Sequence, residues 1–315
     1  RSTPRPDVDG LGRWRCVVGR RVARFLAERP VGIVDPRVRG WSDDVAPGDV
    51  VVVSTGGRHA VLAAELLGRG VSVVTVGDDL ADCRELLDLE DQARTNEVAL
   101  VIGAALSPGL SGLIVRSLSD RLRECSEIHI ALHGTAGPSC ARAHHRSLSG
   151  SSPSWVDGEM RSTPGGGGRE LLWFPEPVGP MDCFLAEIAS PLLLHRSLPD
   201  VPRISVRRSA RRRDRVTARL PMMRSPHPEG RIGALRVEVR GVDHDGRRVS
   251  LVHGVAEQVG TASAAVAATF AEAVSDGELP GGVTLAGDSR VADLRLLSRV
   301  VARGVRLQEY IGDPA

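Results

Sequence analysis

His133 is the side chain of this sequence best placed to move a proton. It follows the apolar, alternating stretch 128–132 and precedes the glycine-rich turn at 134–137. A neutral imidazole at the end of a strand that faces a cleft can donate a proton to the oxygen of a carbonyl or the nitrogen of an imine as a hydride arrives at the carbon. The alternative interpretation is a histidine that caps the turn by hydrogen bonding. We take His133 as the candidate catalytic residue.

A second group of candidates follows apolar runs of the first third of the chain. If these runs are parallel strands, their carboxyl ends meet at one edge of a sheet, where nucleotides bind. Asp35 has the spacing of a carboxylate that binds the adenosine ribose and favours NAD, whereas Arg37 offers a guanidinium to the 2′-phosphate of NADP. The predicted cofactor-binding residues are Gly19, Asp35, Arg37, Ser54, Thr55, Gly56, Gly77, Gly103 and Ala104.

The glycine pattern of a dinucleotide site is incomplete. Gly19, followed by Arg20 and Arg21, stands where the third glycine of Gly-x-Gly-x-x-Gly is expected, but the first two positions hold Trp14 and Cys16. Side chains at those positions obstruct the close approach of a phosphate. Either the start of the chain has been replaced, or the protein has lost dinucleotide binding.

Other chemistry-bearing residues leave two interpretations each. Cys140 lies near a predicted helix start, which favours either a thiolate or a small buried thiol. The arginines at 211–213, within a predicted strand, form either an anion clamp or a solvated face. The aromatic and proline turn at 173–177 is either a wall of the substrate cleft or a packed loop. His144 and His145 diverge by about 100° on a helix, and no metal site is predicted.

The stretch 103–118 shows how the elements position these residues. An apolar run ends at Ile102, a small-residue turn follows, and Leu110, Leu113 and Ile114 then recur at helical spacing. Such a strand, turn and helix directs backbone N–H groups toward a ligand. Apolar runs at 31–34, 50–53, 71–76 and 98–102 alternate with helical patterns at 17–27, 59–67 and 78–96. The alternation predicts a doubly wound parallel sheet with an altered first strand.

The pattern changes after residue 122. Strands are predicted at 127–132, 204–219, 234–240 and 248–253, with a hairpin turn at 243–246, a mobile low-complexity loop at 149–168, and helices at 261–274 and 291–302. We predict an irregular segment at 1–16, a Rossmann-like domain at 17–122, a second α/β domain with a mixed or antiparallel sheet at 123–260, and C-terminal helices at 261–315 that pack back on the first domain.

Composition excludes several classes of function. The 41 basic residues are all arginine and nearly balance 39 acidic ones, so the net charge of +2 gives no reason to expect nucleic acid. Without lysine there is no Schiff base. Five scattered cysteines without a Cys-x-x-Cys pair favour a reducing cytoplasm. No apolar stretch is long enough for a membrane span. The first 15 residues, rich in Arg, Pro and Gly, suggest a fragment, a tag remnant or an altered start.

Several segments together resemble the saccharopine-dehydrogenase-like group of actinobacterial type. These segments are 18–23, 103–111, 133–138, 173–177 and 220–222. The resemblance implies a Rossmann domain beside a dimerising α/β domain, and hence an NAD(P)-dependent oxidoreductase that reduces a C=N, C=O or activated C=C bond of a small metabolite. It implies a homodimer, with neither nucleic acid nor membrane as a partner. The alternatives are a trans-acting enoyl reductase for a lipid or polyketide intermediate and a cofactor-free structural or regulatory dimer.

Overall fold

A computed structural model describes residues 16–223 and 225–310 of the chain. Trp14 and most of the predicted irregular segment lie outside these residues. Two sheets and the helices around them make up the described part. The predicted fold class, a doubly wound parallel sheet with a second mixed-sheet unit, is confirmed.

The first sheet has four parallel strands in the order β1-β2-β3-β12. Its strands are β1 (Val50–Val53), β2 (Ser72–Thr75), β3 (Ala99–Val101) and β12 (Gly282–Thr284), and the helices before and between them are α1 (Val17–Phe25), α2 (Ala60–Gly68), α3 (Leu80–Leu87), α4 (Glu90–Thr95) and α5 (Ser111–Ser119). Continuous valine-rich runs suit strands that are covered on both faces. The single acidic helix predicted over 78–96 is wrong, since α3 and α4 are separate.

The strand predicted over 31–34 is also wrong. This segment follows α1 without strand pairing, and the outer edge of β1 has no partner strand among the described residues. Pro30 and Pro36 bracket the segment, and neither can donate a backbone hydrogen bond. The apolar composition of 31–34 therefore gave a wrong prediction, because a strand also needs a neighbouring strand with which its backbone can form hydrogen bonds.

The second sheet has nine strands, with β4 and β9 parallel and the other pairs antiparallel. They are β4 (Glu124–His133), β5 (Ser151–Val156), β6 (Glu159–Pro164), β7 (Glu170–Trp173), β8 (Pro180–Leu185), β9 (Arg203–Ser209), β10 (Ile232–Val242), β11 (Arg248–Gln258) and β13 (Leu307–Tyr310). The hairpin turn at 243–246 is confirmed between β10 and β11. Three helices flank this sheet: α6 (Pro138–Ser147), α7 (Ser190–Ser197) and α8 (Arg212–Val216).

Two predictions about this sheet are wrong. The residues expected to form a mobile loop at 149–168 instead form the β5–β6 hairpin, in which Ser152 and Ser154 are buried. The strand expected over 204–219 ends at Ser209, and the chain then turns into α8. The β5–β6 hairpin was not predicted because its residues are mostly small and polar. The end of β9 was not predicted because a run of arginines follows it.

The alanine-rich helix α9 (Val259–Ser275) supports both sheets. It packs against α1, β1 and β2 on one side and against β10 and β11 on the other. Phe270 is fully buried in the core that it forms. The chain after α9 adds β12 to the first sheet and β13 to the second, so this segment contains strands as well as helices. The helix predicted over 291–302 is divided into α10 (Ser289–Ala292) and α11 (Leu296–Ala302).

None of the helices in the described ranges combines the length and the apolar character that a bilayer span requires.

Candidate functional site

A cleft of about 1330 Å³ lies between the two sheets. The turns that follow β1 and β2, together with the start of α1, form the first wall of this cleft. The turn after β4 and the helix α6 form the second wall, on the opposite side. Both walls therefore lie at the carboxyl ends of strands, where ligands of α/β proteins bind.

Gly19 brings α1 close to the turn after β1. A Cβ atom at this position would lie 2.6 Å from the Oγ atom of Ser54, so a larger residue here would displace the Ser54 side chain or α1. Cys16 caps the same helix: its Sγ accepts a hydrogen bond from the N–H of Gly19 at 3.3 Å. The Cys16 thiol in turn donates to the Ser54 carbonyl oxygen at 2.8 Å. The start of α1 faces the cleft, but one of its backbone N–H groups, that of Gly19, is already hydrogen bonded to the Cys16 thiol.

Hydrogen bonds from the Asp82 side chain and from the His59 ring fix the turn at 54–59. The Asp82 carboxylate accepts from the backbone N–H groups of His59 and Ala60 and so caps α2. The His59 ring donates from Nε2 to the carbonyl oxygen of Thr55 at 2.8 Å. These contacts fix Ser54, Thr55 and Gly56 in the wall of the cleft. Gly56 approaches α6 across the cleft, since a Cβ atom there would collide with Ser139.

Asp35 and Arg37 lie next to each other and both line the cleft. Asp35 accepts hydrogen bonds from the Arg37 backbone N–H at 3.0 Å and from its Nε at 2.8 Å. These bonds lower the pKa of Asp35 to about 2, so the carboxylate is ionised at neutral pH. Arg37 is exposed and forms an ion pair with Asp35, which leaves its guanidinium accessible to another anion.

Gly77 and Asp78 follow β2 in the wall of the cleft. A Cβ atom at Gly77 would lie 3.2 Å from the His59 ring, which is tighter than ordinary packing. Gly103 and Ala104, in contrast, do not reach the cleft, although the next three residues do. Both are buried, and their N–H groups donate to Thr75, at 3.1 Å to its Oγ1 and 2.6 Å to its carbonyl oxygen. These bonds join the end of β3 to β2, and the contact of both residues with a cofactor stays a prediction.

The structure turns the His133 ring away from the other polar groups of the cleft. His133 is in the cleft wall, but its Nδ1 lies 2.7 Å from Ser209 Oγ and its ring contacts Phe174. Since side chains alternate along a strand, it shares a face of the sheet with Ala131 and not with Leu132. Burial, aided by the charge of Arg211, lowers the pKa of His133. The His133 side chain thus lies on the face of the sheet opposite Arg208, and its role as a proton donor stays a prediction.

Sequence reasoning missed the charged group on the opposite wall. Arg208 lies on the inward face of β9 after Ile204 and Val206, and it is 4% exposed. Its Nη2 lies 3.5 Å from Asp78 Oδ2. The same Asp78 oxygen lies 3.9 Å from Nε2 of His144 on α6. Burial raises the pKa of Asp78, while the charge of Arg208 opposes that shift. A signal was present in the sequence: an arginine in the third place of an alternating apolar pattern.

Cys140 and His144 do not form a nucleophile and base. The Cys140 Sγ lies 3.2 Å from Nε2 of His144, the same nitrogen that faces Asp78, so no relay passes through the ring. Burial raises the pKa of Cys140 to about 11. A raised pKa favours the neutral form, which agrees with the interpretation of Cys140 as a small buried thiol.

The remaining predicted features lie outside the cleft. The arginines at 211–213 belong to the start of α8 and are exposed, which agrees with a solvated face. In the turn at 173–177 Phe174 is buried, and the turn packs against the face of the second sheet that carries His133. His145 donates to the carbonyl oxygens of Thr217 and Leu220. No group of three or more metal-ligating side chains comes together in the described part of the chain.

The class of fold is thus a parallel nucleotide-type sheet beside a mixed sheet, with a cleft between them. Two solved structures share it. A homospermidine synthase from Legionella pneumophila, solved with NAD, is similar over 90% of this chain and 81% of its own, with a TM-score of 0.65 and 11% identity. Saccharopine dehydrogenase (L-Glu forming) from Saccharomyces cerevisiae is similar over 98% and 97%, with a TM-score of 0.62 and 12% identity.

At these identities the likeness establishes the fold alone, which this chain shares with both proteins. No protein-family model and no curated protein sequence matches the chain.

Proposed function

We propose that the protein binds NAD(H) or NADP(H) in the cleft and is an oxidoreductase acting on a small metabolite. The observation that carries this proposal is the cleft itself, at the carboxyl edge of a parallel sheet, with Gly19 packed against Ser54 at its floor. Its volume of about 1330 Å³ exceeds the usual range of ligand pockets, roughly 300–1,000 Å³, and accommodates a dinucleotide together with a substrate. The similarity of the chain to a homospermidine synthase that was solved with NAD supports the same cofactor.

The residues of the first wall fit a dinucleotide. The start of α1 and the turn at 54–56 offer backbone N–H groups and small side chains, which suit a diphosphate. Asp35 suits the adenosine ribose, with Arg37 beside it. Where Cys16 stands, the thiol narrows the approach to α1 without closing the cleft, since Cys16 itself lines it.

The second wall fits the reacting part of a substrate. When bound, the nicotinamide ring donates or accepts a hydride. The chain itself orients the substrate and holds the accompanying proton. His144 of this wall lies 3.9 Å from Asp78, which reaches it from the turn after β2. Burial raises the pKa of Asp78, which makes this carboxylate a stronger base than an exposed one and suits it to take up the accompanying proton.

Fluorescence titration with NADH and NADPH tests the proposal. We expect saturable binding of at least one of them by the wild-type chain. Gly19→Val should weaken it by about tenfold or more, because overpacking costs about 1–3 kcal/mol and displaces α1 from Ser54. Gly68→Ala is the control, since Gly68 is exposed outside the cleft and a Cβ atom there would lie 3.4 Å from the end of the Gln92 side chain, an ordinary contact distance. Absence of binding, or equal binding by both variants, would contradict the proposal.

A second candidate is a cofactor-free structural or regulatory protein. One observation favours it: Cys16 caps α1, so the N–H of Gly19 is no longer free for a phosphate. This candidate is supported if neither NADH nor NADPH binds even when residue 16 is glycine.

A further inference from the structure

Arg208 is a buried cation without adequate partners. Its side chain is 5% exposed, and its Nε and Nη1 have no hydrogen-bond partner among the residues that the structure describes. The Asp78 carboxylate lies 3.5 Å from Nη2, beyond the roughly 2.7–2.9 Å of a charge-assisted hydrogen bond. Since buried polar groups are almost always hydrogen bonded, this guanidinium calls for a further acceptor.

Other enclosed arginines of the chain are better satisfied. Arg236 Nη1 lies 2.6 Å from Glu238 Oε2 in the second sheet. Arg116 donates from Nε to the Gly287 carbonyl oxygen at 2.8 Å. Both support the fold without a ligand. Arg208 differs from them because it lines the cleft, where an acceptor can arrive from solvent.

The surroundings of Arg208 select the charge of that acceptor. Asp78 already offsets part of the cation and would repel a second strong negative charge. A monoanionic carboxylate adds one negative charge beside Asp78, whereas a phosphate dianion adds two and is repelled more strongly. The planar guanidinium also matches the planar carboxylate in geometry.

We propose that Arg208 binds the carboxylate of a small organic acid, which is the substrate class of this cleft. The inference rests on the proposed function in treating the cleft as a substrate site. The carboxylate lies against Arg208 on the wall formed by β9 and α6. Asp78 and His144 flank it, and the first wall remains available to the dinucleotide.

Calorimetric titration of the full chain without cofactor tests this assignment. The probes are pyruvate and 2-oxoglutarate, with the neutral pyruvamide and inorganic phosphate as separate arms. We expect the two carboxylates to bind and the amide not to bind. Arg208→Gln should weaken carboxylate binding by about tenfold or more, because a charge-assisted hydrogen bond is lost. Asp78→Asn should strengthen it, because a repelling charge is removed.

Arg211→Gln is the matched control, an exposed arginine three residues further along the chain, and it should leave carboxylate binding within about twofold. Arg208→Lys, which keeps a charge at 208, should fall between wild type and Arg208→Gln. Equal binding of pyruvate by wild type, Arg208→Gln and Arg208→Lys would overturn the proposal. So would failure of both carboxylates to bind, or binding of phosphate alone.

NADH and NADPH titrations of the same variants separate this proposal from the proposed function. Arg208→Gln should bind the dinucleotide as the wild type does. If carboxylates bind through Arg208 while neither dinucleotide binds, the oxidoreductase assignment fails and the carboxylate site stands.

Discussion

The two walls of the cleft differ in the kind of group that they present. The wall of the first sheet presents backbone N–H groups and small side chains, with Gly19, Ser54 and Gly56 in close packing contacts. The wall of the second sheet presents Arg208 and His144, which are enclosed and charged or titratable. Asp78 follows a strand of the first sheet and reaches the second wall.

This difference indicates a division of work between the walls. Small residues permit a close approach along an extended ligand, whereas an enclosed cation recognises one charged group. The two walls should therefore respond separately to substitution. Only the core that supports both should affect them together.

Phe270→Ala should have the largest effect, because Phe270 lies fully buried on the helix between the sheets. We expect the free energy of unfolding to fall by about 3–5 kcal/mol. Urea denaturation followed by circular dichroism measures this. Val301→Ala, at a side chain that is 40% exposed, should change stability by about 0.5 kcal/mol or less. A loss below about 1 kcal/mol for Phe270→Ala would mean that α9 is not the common support.

Cys16→Gly should affect only the first wall. It frees the N–H of Gly19, now bonded to the thiol, and we expect dinucleotide binding to strengthen by up to about tenfold. Cys16→Ser keeps an acceptor at the cap and should bind like the wild type. Fluorescence titration with NADH and NADPH measures both. If serine and glycine at this position behave alike, the cap does not limit binding.

Asp35→Asn should change the choice between the two cofactors. Removing the carboxylate frees Arg37 for a 2′-phosphate, so we expect affinity for NADPH relative to NADH to rise by about two- to fivefold. Arg39→Gln, at an exposed arginine nearby, serves as the control. Because Arg37 lowers the pKa of Asp35 to about 2, Asp35 stays ionised between neutral and mildly acidic pH, and the affinity of the wild type for NADH should not vary over that range through this carboxylate. An unchanged ratio in Asp35→Asn would place the ribose elsewhere.

Asp78→Asn should show the smallest effect, on the pH dependence of stability. Burial raises the folded-state pKa of Asp78 above the usual 3.8. Its contribution to stability is therefore fully present below that value and is lost as pH rises through the raised pKa. The stability of Asp78→Asn relative to wild type should accordingly increase with pH over this window, as measured by denaturation at several pH values. Asp91→Asn, at an exposed carboxylate, should show no such trend.

Much of the first wall could be predicted from the sequence, since valine-rich runs identify parallel strands and their carboxyl ends identify the turns. Gly103 and Ala104 show the limit of that rule. They follow β3, but their N–H groups bond to Thr75 and neither residue lines the cleft. The second wall escaped prediction because it depends on the face of a strand. His133 and Arg208 end neighbouring strands, yet their side chains point to opposite faces.

Hydrogen–deuterium exchange with and without saturating NADH or NADPH tests the central claim most directly. We expect one of the two to slow exchange at residues 16–23, 54–59 and 76–79, which form the first wall. The β5–β6 hairpin at 151–164, away from the cleft, should exchange at the same rate in both states. Unchanged exchange along the first wall, or protection only outside the cleft, would contradict a dinucleotide site at the carboxyl edge of the parallel sheet.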